Sequence, residues 1–227
     1  MKCVVLCAGS GGRLGGALPK ALIPIKGKPI LWYIIKDWVS IVDEFVFVIG
    51  YRKDEVLRYV ETLPLSYSWW EQKEQIGTAH ALLQVSPLNE KFLVVLGDCL
   101  IKGTFQLTFS ERQLGIGVWA PPKREVNKIL SNYSVRVNSD GYITEVEEKP
   151  KSILDGDLCG MGYYFFDDRV FDYIKKGKPP EGKPWELTYI IKDMVNSGET
   201  IAPIYFKGKY INVNTPKDLE EAEQVFK

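Results

Sequence analysis

Three short apolar segments in the first hundred residues constrain the fold of this chain more than any other feature. They are residues 2–8, EFVFVIG (44–50) and KFLVVLGD (91–98), and each predicts a buried strand. Helical patterns lie between them, such as GKPILWYIIKDWVS, in which Ile30 and Ile34 are four residues apart. Strands that alternate with helices at short intervals form a mostly parallel sheet with helices on both faces. The alternation therefore predicts an α/β fold.

The second half of the chain has a different pattern, in which strands are separated by turn signals. In the segment 132–150, Asp140 and Gly141 predict a hairpin turn between two strands. The segment ELTYIIKDMVNS predicts a helix over 186–197, and a strand is expected over 200–206. This half is therefore expected to be mixed rather than parallel.

A closing helix is predicted from its first residues, with Thr215 as the N-cap and Pro216 at the first helical position. The chain has no obvious linker, repeat or low-complexity stretch. We therefore expect one domain over 1–227, with a nucleotide-binding half at about 1–114 and a second half at about 115–227.

Composition excludes several classes of function. The net charge is zero, which argues against a protein that coats nucleic acid or an anionic membrane. No run of about 18 apolar residues occurs, so no membrane-spanning segment is expected. The four cysteines include no CxxC pair, and His80 is the one histidine, so a zinc site is poorly supported. Scattered thiols fit a reducing cytoplasm.

Basic residues are concentrated near the N-terminus. The first 36 residues contain six of them and no acid. One interpretation is a chance run of charge on a solvated face, and the other is a site for a polyanionic small molecule. The six are Lys2, Arg13, Lys20, Lys26, Lys28 and Lys36.

The glycine-rich segment LCAGSGGRLGGALPK (6–20) follows the first predicted strand, at the sheet edge where such folds bind ligands. A dinucleotide-binding loop would need its third glycine at Leu14. A phosphate-binding loop of the GxxxxGK[ST] type would need Lys and Ser or Thr at Ala17 and Leu18. Both patterns therefore fail at a required residue.

A third pattern fits. AGSGGRL followed by LPKAL places Arg13 and Lys20 in a glycine-rich loop, where both can bind phosphate oxygens. This pairing resembles the signature of the nucleotidylyltransferases that join a nucleoside triphosphate to a sugar 1-phosphate. The short gap between the two basic residues is more similar to the N-acetylglucosamine-1-phosphate uridylyltransferase branch than to the thymidylyltransferase branch.

Further motifs of that family follow in order along nearly the whole chain. They are QKEQIGTAHAL (72–82), VVLGDCL (94–100), VEEKP (146–150), GMGYYFFD (160–167), WELT (185–188) and YINVNTPKDL (210–219). The resemblance implies a nucleotide-diphospho-sugar transferase fold, with a Rossmann-like sheet and a mixed sugar-binding portion.

The resemblance also implies roles for individual residues. The implied catalytic residues are Arg13, Lys20, Asp98 and Lys149. Those implied to bind the nucleotide are Leu6, Ala8, Gly9, Ser10, Gly11, Gly12, Gln72, Gly77 and Thr78. Those implied to bind the sugar phosphate are Ser134, Glu147, Glu148, Lys149, Gly160 and Glu186. Mg²⁺ is the implied cofactor, held by Asp98 and by Asn214, with Asn212 as the alternative ligand.

Four positions depart from the family pattern. Gly12 replaces a threonine, and Asn212 replaces an acid found in many relatives. Ser134 stands where a glycine meets the sugar, and Gly160 stands where the N-acetylglucosamine branch has an asparagine. The last two leave the identity of the sugar open.

The implied reaction is Mg²⁺-dependent transfer of a nucleotidyl group from UTP or dTTP to a sugar 1-phosphate, with release of pyrophosphate. Its partners would be these two small molecules, and a homo-oligomer is possible in the family. Two alternatives stay open. One is transfer of cytidylyl to a non-sugar phosphate such as phosphocholine, and the other is an inactive regulatory homologue that only binds sugar nucleotide.

Overall fold

The computed structural model describes residues 1–106 and 114–226, in which twelve strands and seven helices are found. In chain order the strands are β1 (Lys2–Leu6), β2 (Pro24–Ile25), β3 (Lys28–Pro29), β4 (Glu44–Ile49), β5 (Tyr67–Glu71), β6 (Phe92–Leu96), β7 (Cys99–Phe105), β8 (Leu114–Trp119), β9 (Tyr133–Val137), β10 (Ile143–Glu148), β11 (Leu158–Phe166) and β12 (Ile201–Asn212). The helices are α1 (Ile30–Trp38), α2 (Lys53–Val60), α3 (Thr78–Leu83), α4 (Lys128–Ser131), α5 (Arg169–Lys176), α6 (Leu187–Asn196) and α7 (Pro216–Val225).

Ten of these strands form one sheet, in which eight follow the order β5-β4-β1-β6-β11-β8-β12-β7. The first four are parallel to one another. β11 is antiparallel to β6 and to β8, and β9 pairs with both β11 and β10. The predicted fold class is confirmed, because a parallel portion of the sheet continues into a mixed portion.

The central strand β1 explains the apolar N-terminal segment. It lies between β4 and β6, and both of its faces are covered. Cys3 and Val5 belong to the core on one face of the sheet, and Val4 and Leu6 belong to the core on the other. A strand buried on both faces has no polar alternation, so its sequence is continuously apolar.

Most predicted elements are present, and five observed elements had no prediction, namely β2, β3, β7, α4 and α5. Helix α1 buries Ile30, Ile34 and Trp38, as the spacing predicts. The hairpin of β9 and β10 turns over 138–142, where the Asn138 side chain accepts from two backbone amides.

Strand β12 is longer than the predicted range 200–206. Its first residues pair with β8, and its last residues, from Phe206 to Asn212, pair with β7. Lys207 and Gly208 are exposed where the strand passes from one neighbour to the other. These exposed residues interrupt the apolar pattern, which is why the sequence suggested an earlier end.

The fold brings the loops of interest to one edge. The glycine loop follows β1, Gln72 follows β5 and Asp98 follows β6, all at the carboxyl ends of parallel strands. Ligands bind at this edge in open α/β sheets. Within the described residues, no helix has the length and apolarity needed to cross a membrane.

Candidate active site

The glycine loop is shaped by three left-handed residues around a short 3-10 turn over Gly12–Leu14. Gly11, Gly15 and Gly16 have φ of 63°, 92° and 61°. A Cβ at Gly11 would lie 3.3 Å from Cβ of Lys20, so the loop also packs tightly against the lysine that follows it. These positions favour glycine for both reasons.

Lys20 lies at the centre of the site. Its Nζ donates to Oδ2 of Asp98 at 2.5 Å and to Oδ1 of Asn214 at 2.7 Å. The lysine and aspartate side chains are only 16% and 19% exposed, so this ion pair is partly shielded from water. Residues from three distant parts of the sequence therefore converge on one ammonium group.

Asn212 lies directly behind this cluster. Its amide group is 2.7 Å from Nδ2 of Asn214 and 2.9 Å from Oδ1 of Asn132, and it comes within 3.3 Å of the Asp98 carboxylate. The Lys20 ammonium lies between Asp98 and Asn214. The Asn214 side chain, rather than that of Asn212, directs an oxygen at this ammonium. The geometry thus favours Asn214 over Asn212 as the amide ligand of a metal.

The donor set fits Mg²⁺. The described residues contain no group of three or more His, Cys, Asp or Glu side chains that could enclose a metal. Asp98 and Asn214 supply two hard oxygen atoms that already converge on a cation, the Lys20 ammonium. Mg²⁺ typically takes one or two protein carboxylates and completes its shell with water and substrate phosphates.

A first cavity, of about 390 Å³, lies between the glycine loop and the end of β5, and we call it the nucleotide cavity. Of the residues implied to be catalytic or to bind the nucleotide, ten line it. They are Leu6, Ala8, Gly9, Ser10, Arg13, Lys20, Gln72, Gly77, Thr78 and Asp98. Gly11 and Gly12 do not line it and instead shape the loop behind its surface.

Gln72 has a fixed orientation in this cavity. It is only 3% exposed, and its Nε2 donates to the carbonyl of Gly77 at 3.0 Å and lies 3.1 Å from Nδ1 of His80. Because a carbonyl can only accept, the amide nitrogen must face Gly77 and the amide oxygen must face away from it. That oxygen has no partner among the described residues, so it is available to a ligand.

A second cavity, of about 320 Å³, adjoins the first, and we call it the acceptor cavity. Arg13, Asp98 and Glu186 line both cavities. The guanidinium of Arg13 has no partner among the described residues. The shared wall therefore carries an unpaired arginine beside the Lys20 cluster.

The acceptor cavity contains a carboxylate and a lysine from the VEEKP motif. Oε2 of Glu148 accepts from the Thr188 hydroxyl at 2.8 Å, and Oε1 lies 3.4 Å from Nζ of Lys149. Burial raises the pKa of Glu148 above its ordinary value. Lys149 has a left-handed backbone, with φ of 45°, and its amide donates to the carbonyl of Asn132 at 2.9 Å.

Strand register decides which predicted residues face this cavity. Tyr133, Glu148 and Gly160 are neighbours across three strands, and the first two line the cavity. Side chains alternate along a strand, so the side chains of Ser134 and Glu147 lie on the opposite face. The expectation that these two side chains contact the sugar is therefore not supported by their placement.

Gly160 faces the cavity side but is covered. A Cβ at this position would overlap the ring of Tyr133. The hydroxyl of that tyrosine donates to the carbonyl of Met161 at 2.8 Å, which holds the ring over the glycine. The aromatic ring, rather than Gly160, thus forms this part of the wall.

Several lining residues were not predicted from the sequence. They are Lys128, Asn132, Tyr133, Tyr164 and Thr188. Thr188 lies within the quoted WELT motif and could have been chosen there. Tyr164 likewise lies within the quoted GMGYYFFD motif, and the remaining three residues lie outside every quoted motif.

Comparison with known proteins gives a consistent result. A sequence model of the nucleotidyl transferase family matches residues 2–226. The UTP–glucose-1-phosphate uridylyltransferase AglF of Haloferax volcanii is 32% identical, over 99% of this chain and 96% of the relative. The bifunctional protein GlmU of Methanocaldococcus jannaschii is 33% identical over 99% of this chain, which spans 54% of that relative.

Solved structures share the fold. A UDP-glucose pyrophosphorylase complexed with UDP-glucose has a TM-score of 0.80 and 20% identity, covering 99% of this chain and 97% of its own. The inositol-1-phosphate CTP transferase of T. maritima has a TM-score of 0.81 and 20% identity, covering 98% and 94%. The family match and the identity to AglF carry the assignment beyond the fold. This chain is therefore an enzyme that belongs to the nucleotidyl transferase family.

Proposed function

We propose that this enzyme transfers a uridylyl or thymidylyl group from UTP or dTTP to a sugar 1-phosphate and releases pyrophosphate. The observation that carries the proposal is the cluster of Lys20, Asp98 and Asn214 beside the boundary between two cavities. One cavity is walled by a glycine loop and the other by Glu148 and Lys149. Two phosphorylated substrates could thus meet at one cationic centre.

The donor base is inferred from Gln72. Its amide nitrogen donates to the Gly77 carbonyl and lies 3.1 Å from His80 Nδ1, which leaves its oxygen as an acceptor. Uracil and thymine carry a hydrogen at N3, whereas N3 of cytosine is itself an acceptor. The orientation of Gln72 therefore fits the N3 hydrogen of UTP or dTTP as well as the 4-amino group of CTP, and the similarity to AglF supports UTP.

The acceptor is inferred from the second cavity. Glu148 and Glu186 present carboxylates, and Thr188 and the tyrosine rings complete a polar and aromatic wall. Carboxylates accept hydrogen bonds from several hydroxyl groups, and aromatic rings cover the apolar faces of a sugar ring. Lys149 lies at the same wall with its side chain 62% exposed, free to contact a phosphate.

We infer an in-line attack by the sugar-phosphate oxygen on the α-phosphorus of the triphosphate. The attacking phosphate is already an anion at neutral pH, so no general base is needed. The chief cost is to bring two polyanions together, and it is met by fixed positive charge. Arg13 would neutralise the leaving pyrophosphate, Lys20 the α-phosphate and Lys149 the incoming phosphate. Mg²⁺, when bound by Asp98 and Asn214, would supply further positive charge to phosphate oxygens.

The test is a substrate matrix. The purified chain is incubated with Mg²⁺, each of UTP, dTTP, CTP, ATP and GTP, and a panel of hexose 1-phosphates, phosphocholine and inositol 1-phosphate. Pyrophosphate release and the product mass are measured. We expect release with UTP or dTTP and a hexose 1-phosphate. Release with CTP and a non-sugar phosphate alone would replace the proposal, and no release with any pair would favour a regulatory protein.

A further inference from the structure

A short segment at the start of α3 is joined to the start of α6, more than a hundred residues later. The backbone amide of Trp185 donates to the carbonyl of Ile76 at 2.7 Å, and that of Ala79 donates to the carbonyl of Trp185 at 2.9 Å. A Cβ at Gly77 would overlap the Trp185 backbone, so only glycine permits this approach. The two segments thus form one unit.

Side chains at this junction cap each other's helices. The Thr78 hydroxyl donates to Oε2 of Glu186 at 2.7 Å and accepts from the backbone amide of Leu187 at 2.8 Å. The Thr78 amide donates to the same Glu186 oxygen at 3.3 Å. Thr78 therefore satisfies the first amide of α6, and Glu186 the first amide of α3. Neither helix has a capping side chain from its own N-cap residue.

The same pair lies in the wall between the two cavities. Thr78 and Glu186 line both of them. The bonds to Thr78 occupy one oxygen of the Glu186 carboxylate, and the other oxygen has no partner among the described residues. The carboxylate of Glu186, which lines the acceptor cavity as well, is consequently positioned by a threonine of the nucleotide half.

We propose that Thr78 is a positioning residue for Glu186, so that its hydroxyl governs binding of the acceptor rather than of the nucleotide. This inference rests on the proposed function, because it assigns the second cavity to a sugar 1-phosphate. The resemblance implied that Thr78 binds the nucleotide, whereas this proposal assigns its hydroxyl to the acceptor. The hydroxyl and the backbone of one residue then serve two different substrates.

The test separates the two Michaelis constants. Thr78→Val removes the hydroxyl and keeps the shape of the side chain. We expect its KM for the sugar 1-phosphate to rise about tenfold or more, as for one lost hydrogen bond to a charged group. Its KM for the nucleoside triphosphate should change by less than about threefold, because the nucleotide contacts are expected from the backbone. Thr78→Ser keeps the hydroxyl and should restore the acceptor KM.

Two further variants sharpen the comparison. Thr144→Val is a matched change at an exposed strand position and should leave both constants unchanged. The double variant Thr78→Val with Glu186→Gln should have an acceptor KM no higher than that of the more impaired single variant. The reason is that both changes remove the same interaction. Circular dichroism and thermal unfolding check that each variant is folded, and Thr78→Ala replaces Thr78→Val if the latter is not.

The outcomes distinguish this inference from the proposed function. If the wild-type chain uses no sugar 1-phosphate, the proposed function fails, and this inference fails with it. If the wild type is active but Thr78→Val keeps its acceptor KM, or raises only the nucleotide KM, the inference alone is overturned. Additive effects in the double variant would also overturn it.

Discussion

At the residue scale, Lys20 is the side chain on which the site depends most directly. Its ammonium lies 2.5 Å and 2.7 Å from Asp98 and Asn214, and the proposed mechanism assigns it to the α-phosphate. We expect Lys20→Ala to lower kcat at least about a hundredfold, or about 3 kcal/mol, by analogy with the loss of one preorganised donor. Steady-state assays of pyrophosphate release measure this effect.

A matched lysine separates the loss of this contact from the loss of charge in general. Lys217 is exposed on α7, so Lys217→Ala should keep normal turnover. Near-normal kcat in Lys20→Ala, with an unchanged circular dichroism spectrum, would remove Lys20 from the mechanism.

A second residue-scale prediction concerns stability and pH. Burial raises the pKa of the Asp37 carboxyl from 3.8 to about 6, and the nearby Lys36 lowers it only in part. The folded protein therefore binds this proton more tightly than the unfolded chain does. The free energy of unfolding should fall as pH rises from about 4 to 6, the interval between these two pKa values.

Asp37→Asn removes the charge that burial disfavours. We expect the variant to lose this part of the pH dependence and to have a higher free energy of unfolding at pH 7, measured by urea denaturation across pH 4–7. Asp155 is exposed, so Asp155→Asn should follow the wild-type profile. An Asp37→Asn profile parallel to that of the wild type would show that the Asp37 carboxyl does not titrate in this range.

Residues that belong to a sequence motif were predictable from the sequence. Residues whose place in the site depends on the register of strand pairing were not. Arg13, Lys20 and Asp98 were identified in motifs, and all three line the nucleotide cavity. Glu147 and Glu148 both fitted the sequence motif, and only the pairing with β9 places Glu148 in the cavity. Such a register depends on contacts far along the chain, which a local pattern does not contain.

At the scale of elements, helix α7 links stability to the site. Thr215 caps it and accepts from the Asp218 amide at 3.3 Å, while the Asp218 carboxylate accepts from the amides of Asn214 and Thr215 at 3.0 Å and 2.8 Å. The capping box thereby holds the backbone of Asn214, whose side chain contacts Lys20.

Thr215→Ala should weaken this capping box. We expect the free energy of unfolding to fall by about 1 kcal/mol, the usual loss for an N-cap. The KM for Mg²⁺ should rise as well, because Asn214 is less firmly held. Thr62→Ala, at an exposed site at the end of α2, serves as the control for loss of a threonine hydroxyl. A fall in stability with an unchanged KM for Mg²⁺ would limit the capping box to a structural role.

The elements differ in how far their sequences predict them. The N-terminus of α7 was predicted to the residue, because Thr215 and Pro216 are a local signal for a helix start. β12 was predicted only as far as 206, because its later residues are strand only through pairing with β7. Local chemistry thus fixes helix starts, and long-range pairing fixes strand length.

At the scale of the whole molecule, the sheet brings two cavities together beside the cluster of Lys20, Asp98 and Asn214. We expect chelation of divalent cations by EDTA to lower turnover at least about a hundredfold, because the fixed cations alone leave the phosphates partly uncompensated. Restored activity with added Mg²⁺ is the expected recovery. In Asp98→Asn, more Mg²⁺ should be needed for half-maximal rate. Full activity in EDTA would exclude this part of the proposed mechanism.

The residues of the Lys20, Asp98 and Asn214 cluster are synthesised far apart in time, because they lie far apart in the sequence. On the ribosome, the glycine loop and Asp98 emerge first, and β6 gains its neighbour β11 only after residue 166 has been synthesised. Asn214 emerges nearly 50 residues later still. A nascent chain therefore contains the glycine loop long before it contains every residue of the Lys20, Asp98 and Asn214 cluster. We expect chains that end before Asn214 to lack the proposed Mg²⁺ ligand and therefore to release little pyrophosphate.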